Sequence, residues 1–168
     1  MLPSLPFLTR MLGAKRPLAS LLNMTVSAVQ PICLPDPAQN YINVSAVVSG
    51  WGLDSQLDIF DNDGKYQNIL QMTRVTTSQC RNTLWKDHPN YISENMICAY
   101  APNTDACGGD SGGPLSVKDR NTLRYSQIGI VSFGYYCAND YPGVYTSVTA
   151  LLPWIEKTIL GKLSNAWV

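Results

Sequence analysis

Residues 105–114 read Asp-Ala-Cys-Gly-Gly-Asp-Ser-Gly-Gly-Pro, with a single serine, Ser111, inside a glycine-rich run. Glycine beside Ser111 lets the backbone turn tightly and lets another molecule approach closely. A serine that attacks a carbonyl carbon needs a base for its proton, donors for the oxyanion and open space around its oxygen. A glycine-rich turn between two strands would leave the same pattern, so this stretch alone keeps both interpretations open.

The segments around this stretch predict an all-β fold. Many short β-branched and aromatic runs are separated by glycine and proline turns, which is typical of a sandwich or a barrel. No internal repeat or low-complexity tract interrupts them. The predicted strands cover residues 44–49, 70–77, 95–100, 115–118, 125–133 and 143–148.

Two segments are predicted to be helical. Residues 78–85 suggest a short helix that leads into a loop around His88. At the C-terminus, Pro153 suits a first helical turn and Gly161 suits a stop. We expect this terminal helix to pack on the barrel through residues that share one face: Leu151, Leu152, Ile155 and Ile159.

Composition limits the class of partner and the compartment. Twelve basic and twelve acidic residues balance, and no apolar run is long enough to span a bilayer, so we expect neither nucleic acid nor membrane as a partner.

Five spaced cysteines without a CxxC pair favour secretion over a zinc site. Sequons at Asn23 and Asn43 predict a glycoprotein. No signal peptide is evident at the N-terminus, and Gly64 lies in a loop whose spacing fails for calcium. We expect no metal and no cofactor.

Several motifs together resemble the trypsin-like, or chymotrypsin, family of serine proteases. The resemblance covers roughly residues 26–160, in the family's order and near its spacing. It implies the C-terminal six-stranded antiparallel barrel of the two-barrel fold, with a C-terminal helix and the first barrel missing. The motifs lie at residues 31–35, 49–52, 96–99, 109–114, 132–134, 142–146 and 154–155.

The resemblance implies a role for each matching residue. Ser111 would be the nucleophile, and the backbone N–H groups of Gly109 and Ser111 would form the oxyanion hole. Asp105 would lie at the floor of the primary specificity pocket, which implies cleavage after Arg or Lys. Residues 132–134 (Ser132, Phe133 and Gly134) would line the substrate strand, and Gly143 would keep the pocket open.

The resemblance also implies how the cysteines pair. Cys80–Cys98 and Cys107–Cys137 match two family disulfides. Cys33 normally bonds to a light chain or prodomain, so it is expected to be unpaired here. Residues 1–25 form an atypical N-terminal segment, and residues 26–168 form the peptidase domain.

The chain departs from the family in its catalytic machinery. The family's histidine and aspartate lie upstream of Gly50-Trp51-Gly52, whereas the only histidine here is His88, in a peripheral loop. Asp110 lacks the terminal amine that pairs with it in the family, so it is expected to be solvated or protonated. Tyr136 stands where the family usually has glycine, and it is expected to crowd the pocket entrance.

These departures predict a truncated and inactive chain from a secreted endopeptidase that cleaves protein or peptide substrates. A fragment, a truncated gene prediction and a splice form remain open. The alternative is a non-catalytic serine-protease homologue that acts as a binding or regulatory protein.

Overall fold

A computed structural model describes residues 30–53 and 66–165 of the chain, with side chains up to residue 160. Its main unit, Cys33–Ala150, contains six antiparallel strands. The strands are β1 (Ser45–Gly50), β2 (Gln71–Ser78), β3 (Met96–Tyr100), β4 (Pro114–Lys118), β5 (Tyr125–Phe133) and β6 (Gly143–Ser147).

The strands close into a barrel in the order β1-β2-β3-β6-β5-β4. Closure comes from two long-range pairings: β1 with β4, where Val47 lies opposite Ser116, and β3 with β6, where Ile97 lies opposite Tyr145. A bulge between Leu115 and Ser116 shifts the register of β4 against β5, and such bulges bend barrel strands. The predicted six-stranded barrel is confirmed, and each strand begins and ends within two residues of its predicted bounds.

The barrel interior is filled by side chains from all six strands. Leu115, Ile128 and Tyr145 are each at most 1% exposed. A second cluster packs around Trp85, under the disulfide-closed loop. The first cluster consists of Tyr41, Ala46, Val48, Val75, Ile97, Ala99, Leu115, Ile128 and Tyr145.

Two 3-10 helices, Cys80–Asn82 and Leu84–Asp87, lie where the sequence predicts one helix at residues 78–85. A third, Pro89–Tyr91, follows them. The side chain of Thr83 accepts a hydrogen bond from the backbone N–H of Trp85 at 3.2 Å, which starts a new turn at that point. Pro89 then begins the third turn, because its ring suits the first position of a helix. Proline has no backbone N–H, so it cannot extend the hydrogen bonding of the preceding turn. The prediction of one continuous helix was therefore wrong.

Both predicted disulfides are present. Cys80–Cys98 and Cys107–Cys137 have Cα–Cα distances of 4.9 and 5.3 Å. Each closes a short loop and stabilises the fold by roughly 3–4 kcal/mol in the chain-entropy treatment. Cys33 has no disulfide partner among the described residues. Its backbone forms an isolated parallel bridge with Ser126.

The C-terminal helix, α1 (Val148–Asn165), starts earlier and ends later than the sequence predicts. The Ser147 hydroxyl accepts the backbone N–H of Ala150 at 3.2 Å and caps the N-terminus. Pro153 therefore lies inside the helix, not in its first turn, and Gly161 does not end it. Residues 151–165 belong to a second compact unit. Across the described ranges, no helix combines the length and apolarity needed to cross a bilayer.

Three predicted features lie outside the described residues. They are the segment at residues 1–25, the sequon at Asn23 and the loop around Gly64.

Candidate functional site

Two consecutive tight turns present Ser111 to solvent. The N–H of Asp110 donates to the carbonyl of Cys107 at 3.0 Å, and the N–H of Gly113 donates to the carbonyl of Asp110 at 2.8 Å. The loop is then fixed to β5, because the N–H of Gly112 donates to the carbonyl of Val131 at 2.9 Å. Ser111 is exposed at the top of this rigid loop.

Gly109 is required by both conformation and space. Its φ of +96° lies in the region that favours glycine. A Cβ atom at this position would also lie 2.5 Å from Cε1 of Tyr66. Among the described residues, the backbone N–H groups of Gly109 and Ser111 donate to no protein acceptor. Both N–H groups are therefore available to a ligand oxygen.

A cavity of about 330 Å³ opens beside this loop. It brings together six of the seven residues that the sequence proposed for the site; Gly109 does not line it. The six are Asp105, Ser111, Ser132, Phe133, Gly134 and Gly143. Sequence positions 105 to 143 thus converge on one concave surface, which is the arrangement expected of a ligand site.

Asp105 is the charged group of this cavity. Desolvation raises the pKa of its carboxyl to about 6, although a hydrogen bond from the N–H of Ala106 at 2.8 Å favours the ionised form. Gly143 makes room for it, because a Cβ on Gly143 would lie 2.8 Å from Oδ1 of Asp105. A partly desolvated carboxylate at the base of a pocket favours a cationic ligand, which would restore its ionised form.

Sequence reasoning missed Tyr145, another residue that lines this cavity and carries a buried hydroxyl. Tyr145 is 1% exposed, and its hydroxyl has no hydrogen-bond partner among the described residues. Burial, followed by the negative charges of Asp105 and Asp110, raises the pKa of Tyr145. The sequence signal for Tyr145 is its position in the Pro-Gly-Val-Tyr-Thr motif. That motif does not indicate whether the side chain points into the barrel or out of it.

Asp110 lies five residues after Asp105 in a different environment. Its Oδ1 accepts the N–H of Gly52 at 2.8 Å, and its Oδ2 accepts the N–H of Cys107 at 2.9 Å. Gly50 and Gly52 form a cradle, since a Cβ on Gly50 would lie 2.0 Å from Oδ1. The sequence predicts that Asp110 is solvated or protonated, and in the structure its two carboxylate oxygens accept two backbone N–H groups.

A second cavity of about 210 Å³ lies on the Asp110 side of the loop, and both aspartates line it. His88 lines neither cavity. Its Nε2 lies 3.5 Å from the hydroxyl of Tyr141, and its ring packs among Trp85, Tyr91 and Tyr141. Within residues 30–53 and 66–160, no side chain hydrogen-bonds to the Ser111 hydroxyl. No cluster of metal ligands occurs in the same range.

Tyr136, for which the sequence predicts crowding of the pocket entrance, is among the residues that line the first cavity. Its backbone has a φ of +71°, and the residue is 53% exposed. A half-exposed aromatic residue therefore lines this cavity.

The chain is similar to a known protein family and to several of its members. The profile of the Trypsin family matches residues 19–155. The chain is 34% identical to the clotting factor G beta subunit of Tachypleus tridentatus, over 80% of the chain and 46% of that protein. It is 43% identical to trypsin epsilon of Drosophila erecta, over 68% of the chain and 41% of the relative. Trypsin-1 of Astacus astacus is 38% identical, over 76% and 52% respectively. The chain thus spans about half the length of these relatives.

Proposed function

This chain belongs to the trypsin family, and from that premise we propose that it supplies the nucleophile and specificity pocket of a secreted serine endopeptidase. Ser111 attacks the scissile carbonyl, and the backbone N–H groups of Gly109 and Ser111 stabilise the oxyanion. The observation that carries the proposal is the convergence of Ser111 and Asp105 on one cavity.

The Asp105 pocket selects an arginine or lysine side chain. A cation that enters it restores to the carboxylate the charge stabilisation that burial removes. Residues Ser132, Phe133 and Gly134 hold the substrate backbone beside the pocket, and Gly143 keeps the base of the pocket clear for the carboxylate.

The chain on its own does not hydrolyse peptides. Ser111 needs a base, and His88, the only histidine in the chain, lies away from the cavity that Ser111 lines. The base and its orienting carboxylate come from residues of the parent protein beyond this chain. Loss of triad members typically costs about a millionfold in turnover.

The test uses two proteins. The purified chain, treated with a fluorophosphonate, should show no labelling of Ser111. A fusion of the N-terminal half of Astacus astacus trypsin-1 to residues 26–168 should cleave after Arg and Lys, and Ser111→Ala should abolish this cleavage. Stoichiometric labelling of the chain alone, or fusion activity that survives Ser111→Ala, would contradict the proposal.

A second candidate is a binding protein that uses the Asp105 pocket without catalysis. It is favoured by the formation of that pocket in a chain whose Ser111 has no base among the described residues. A natural transcript that encodes this chain without an upstream histidine motif would support it. A transcript that carries that motif would support the endopeptidase.

The parent is proposed to be a secreted glycoprotein. Two disulfides are consistent with an oxidising compartment. Asn43 is exposed in a turn before β1, so a glycan there would extend into solvent. Cys33 would bond to a light chain or prodomain. Expression in a secreting host should give an N-glycosidase-sensitive band that Asn43→Gln shifts, and a disulfide-linked species that Cys33→Ser removes.

A further inference from the structure

Tyr136 has a backbone conformation that tyrosine rarely adopts. Its φ of +71° lies in the left-handed region, where a bulky side chain is an outlier. Strained residues of this kind persist only where their surroundings hold them, and they are concentrated at ligand sites. The contacts that hold this position are therefore of interest.

The loop that carries Tyr136 is held from several directions. The Cys107–Cys137 disulfide fixes the next residue along the chain. The side-chain amide of Asn139 donates to the carbonyl of Tyr135, and its Oδ1 accepts the N–H of Tyr141 at 2.7 Å. These contacts determine the path of the loop, so the strained backbone of Tyr136 cannot relax locally.

The ring of Tyr136 is the outer end of a row of aromatic rings. It lies T-shaped against Tyr135 at 4.8 Å, and Tyr135 contacts Tyr141 at 5.2 Å. Tyr141 in turn lies edge-on to Trp85 at 5.3 Å. Trp85 is 5% exposed and donates its Nε1–H to the carbonyl of Pro142 at 2.8 Å, which anchors the row in the core.

Tyr136, which carries this anchored ring, lines the same cavity as Asp105. Tyr136 is 53% exposed, so its side chain is not used to fill the core. A preorganised aromatic face beside a carboxylate is suited to a planar cation. A guanidinium stacks on aromatic rings and hydrogen-bonds a carboxylate through two N–H groups, whereas an ammonium is a strongly hydrated point charge.

We propose that Tyr136 is a specificity-determining residue, whose ring stacks on the guanidinium of an arginine side chain and makes the Asp105 pocket prefer arginine to lysine. The proposal rests on the proposed function of Asp105 as the acceptor of a cation. A ring that only narrowed the cavity would weaken the binding of arginine and lysine ligands equally. The ratio of the two affinities therefore distinguishes stacking from narrowing.

The experiment measures binding of Nα-acetyl-arginine amide and Nα-acetyl-lysine amide to the full chain, by saturation-transfer NMR titration. The wild-type chain should bind the arginine ligand roughly two- to fivefold more tightly. Tyr136→Phe keeps the ring and should keep this ratio. Tyr136→Gly and Tyr136→Asn remove the ring at a position where both residues accept positive φ, and each should bring the ratio to about one.

Two controls separate this inference from the proposed function. Tyr91→Ala removes a tyrosine that is 65% exposed and does not line the cavity, so it should leave the ratio unchanged. Asp105→Asn should abolish binding of both ligands. A ratio near one in the wild-type chain, or a ratio that survives both ringless variants, overturns the role of Tyr136 while the pocket stands. Binding of neither ligand, or binding unaffected by Asp105→Asn, overturns the pocket itself and the inference with it.

Discussion

Asp105 and Asp110 are the same residue type in one loop, five positions apart, and the fold treats them in opposite ways. Asp110 has both carboxylate oxygens bonded to backbone N–H groups, from Gly52 and Cys107. Asp105 lies at a cavity, where desolvation raises its pKa to about 6, beside a tyrosine hydroxyl without a partner. The difference distinguishes a carboxylate whose two oxygens both accept backbone N–H groups from one that accepts the N–H of Ala106 and stays partly desolvated at a cavity.

The largest expected effect comes from replacing Asp110. Asp110→Asn puts an amide N–H₂ where one backbone N–H now donates, so a partly buried donor loses its partner and a charge-assisted bond is lost. We expect a loss of about 3 kcal/mol in the free energy of unfolding, measured by urea titration at pH 7.5. Asp105→Asn is the matched control and should not destabilise the chain. Equal losses in both variants would remove the distinction.

The pH dependence of stability should separate the two aspartates next. Because the folded-state pKa of Asp105 is raised from 3.8 to about 6, the folded chain binds this proton more tightly than the unfolded chain. Its contribution is therefore fully favourable below pH 4 and is lost as pH rises through 6. We expect the wild-type chain to lose about 2 kcal/mol relative to Asp105→Asn between pH 4 and pH 7. A constant difference across that range would contradict the assignment.

The glycine cradle around Asp110 offers a third test. Gly50→Ala would place a Cβ 2.0 Å from Oδ1 of Asp110, so the carboxylate must move away from its donors. We expect a cost of about 2 kcal/mol by urea unfolding. In an Asp110→Ala background, the same change should cost much less, because the clash is gone. Additive effects in this double-mutant cycle would show that the cradle does not act on Asp110.

The smallest effect is expected at the Asp105 side. Tyr145→Phe removes a buried hydroxyl that has no partner among the described residues, and it should stabilise the chain by about 1 kcal/mol. Tyr41→Phe is the contrasting variant, because the Tyr41 hydroxyl accepts the N–H of Asp36 at 2.9 Å. That variant should lose about 1 kcal/mol. Thermal unfolding of the two variants side by side measures both changes. A loss of stability in Tyr145→Phe would contradict the assignment of its hydroxyl as unpartnered.

The strands and the motif residues could be predicted from the sequence because their signals are local. Alternating apolar residues bounded by glycine and proline located each strand within two residues, and glycines around Ser111 identified its turn. The helix at residues 78–85 was mispredicted because the Thr83 side chain caps a new 3-10 turn that begins at Leu84, which divides the segment. The start of α1 was missed because Ser147, a capping residue, lies just inside the run predicted as strand.

The parts of the site that could not be predicted depend on contacts between distant positions. Asp110 and its donor Gly52 are 58 residues apart, so no local pattern indicates that a backbone N–H takes the place of a cation. The raised pKa of Asp105 and the buried hydroxyl of Tyr145 likewise arise from burial by other strands. The positive φ of Tyr136 is a further case, since tyrosine gives no sequence signal for it.

The strand order of the barrel also sets an order of events in time. β1, β2 and β3 pair as neighbours, as do β4, β5 and β6, but both seams between these two groups join segments far apart along the chain. During synthesis the first group therefore emerges with two open edges, which persist until the second group has been made. Non-local pairing of this kind slows folding and exposes strand edges to aggregation. The chain's most vulnerable interval should thus fall between translation of Tyr100 and translation of Ser147.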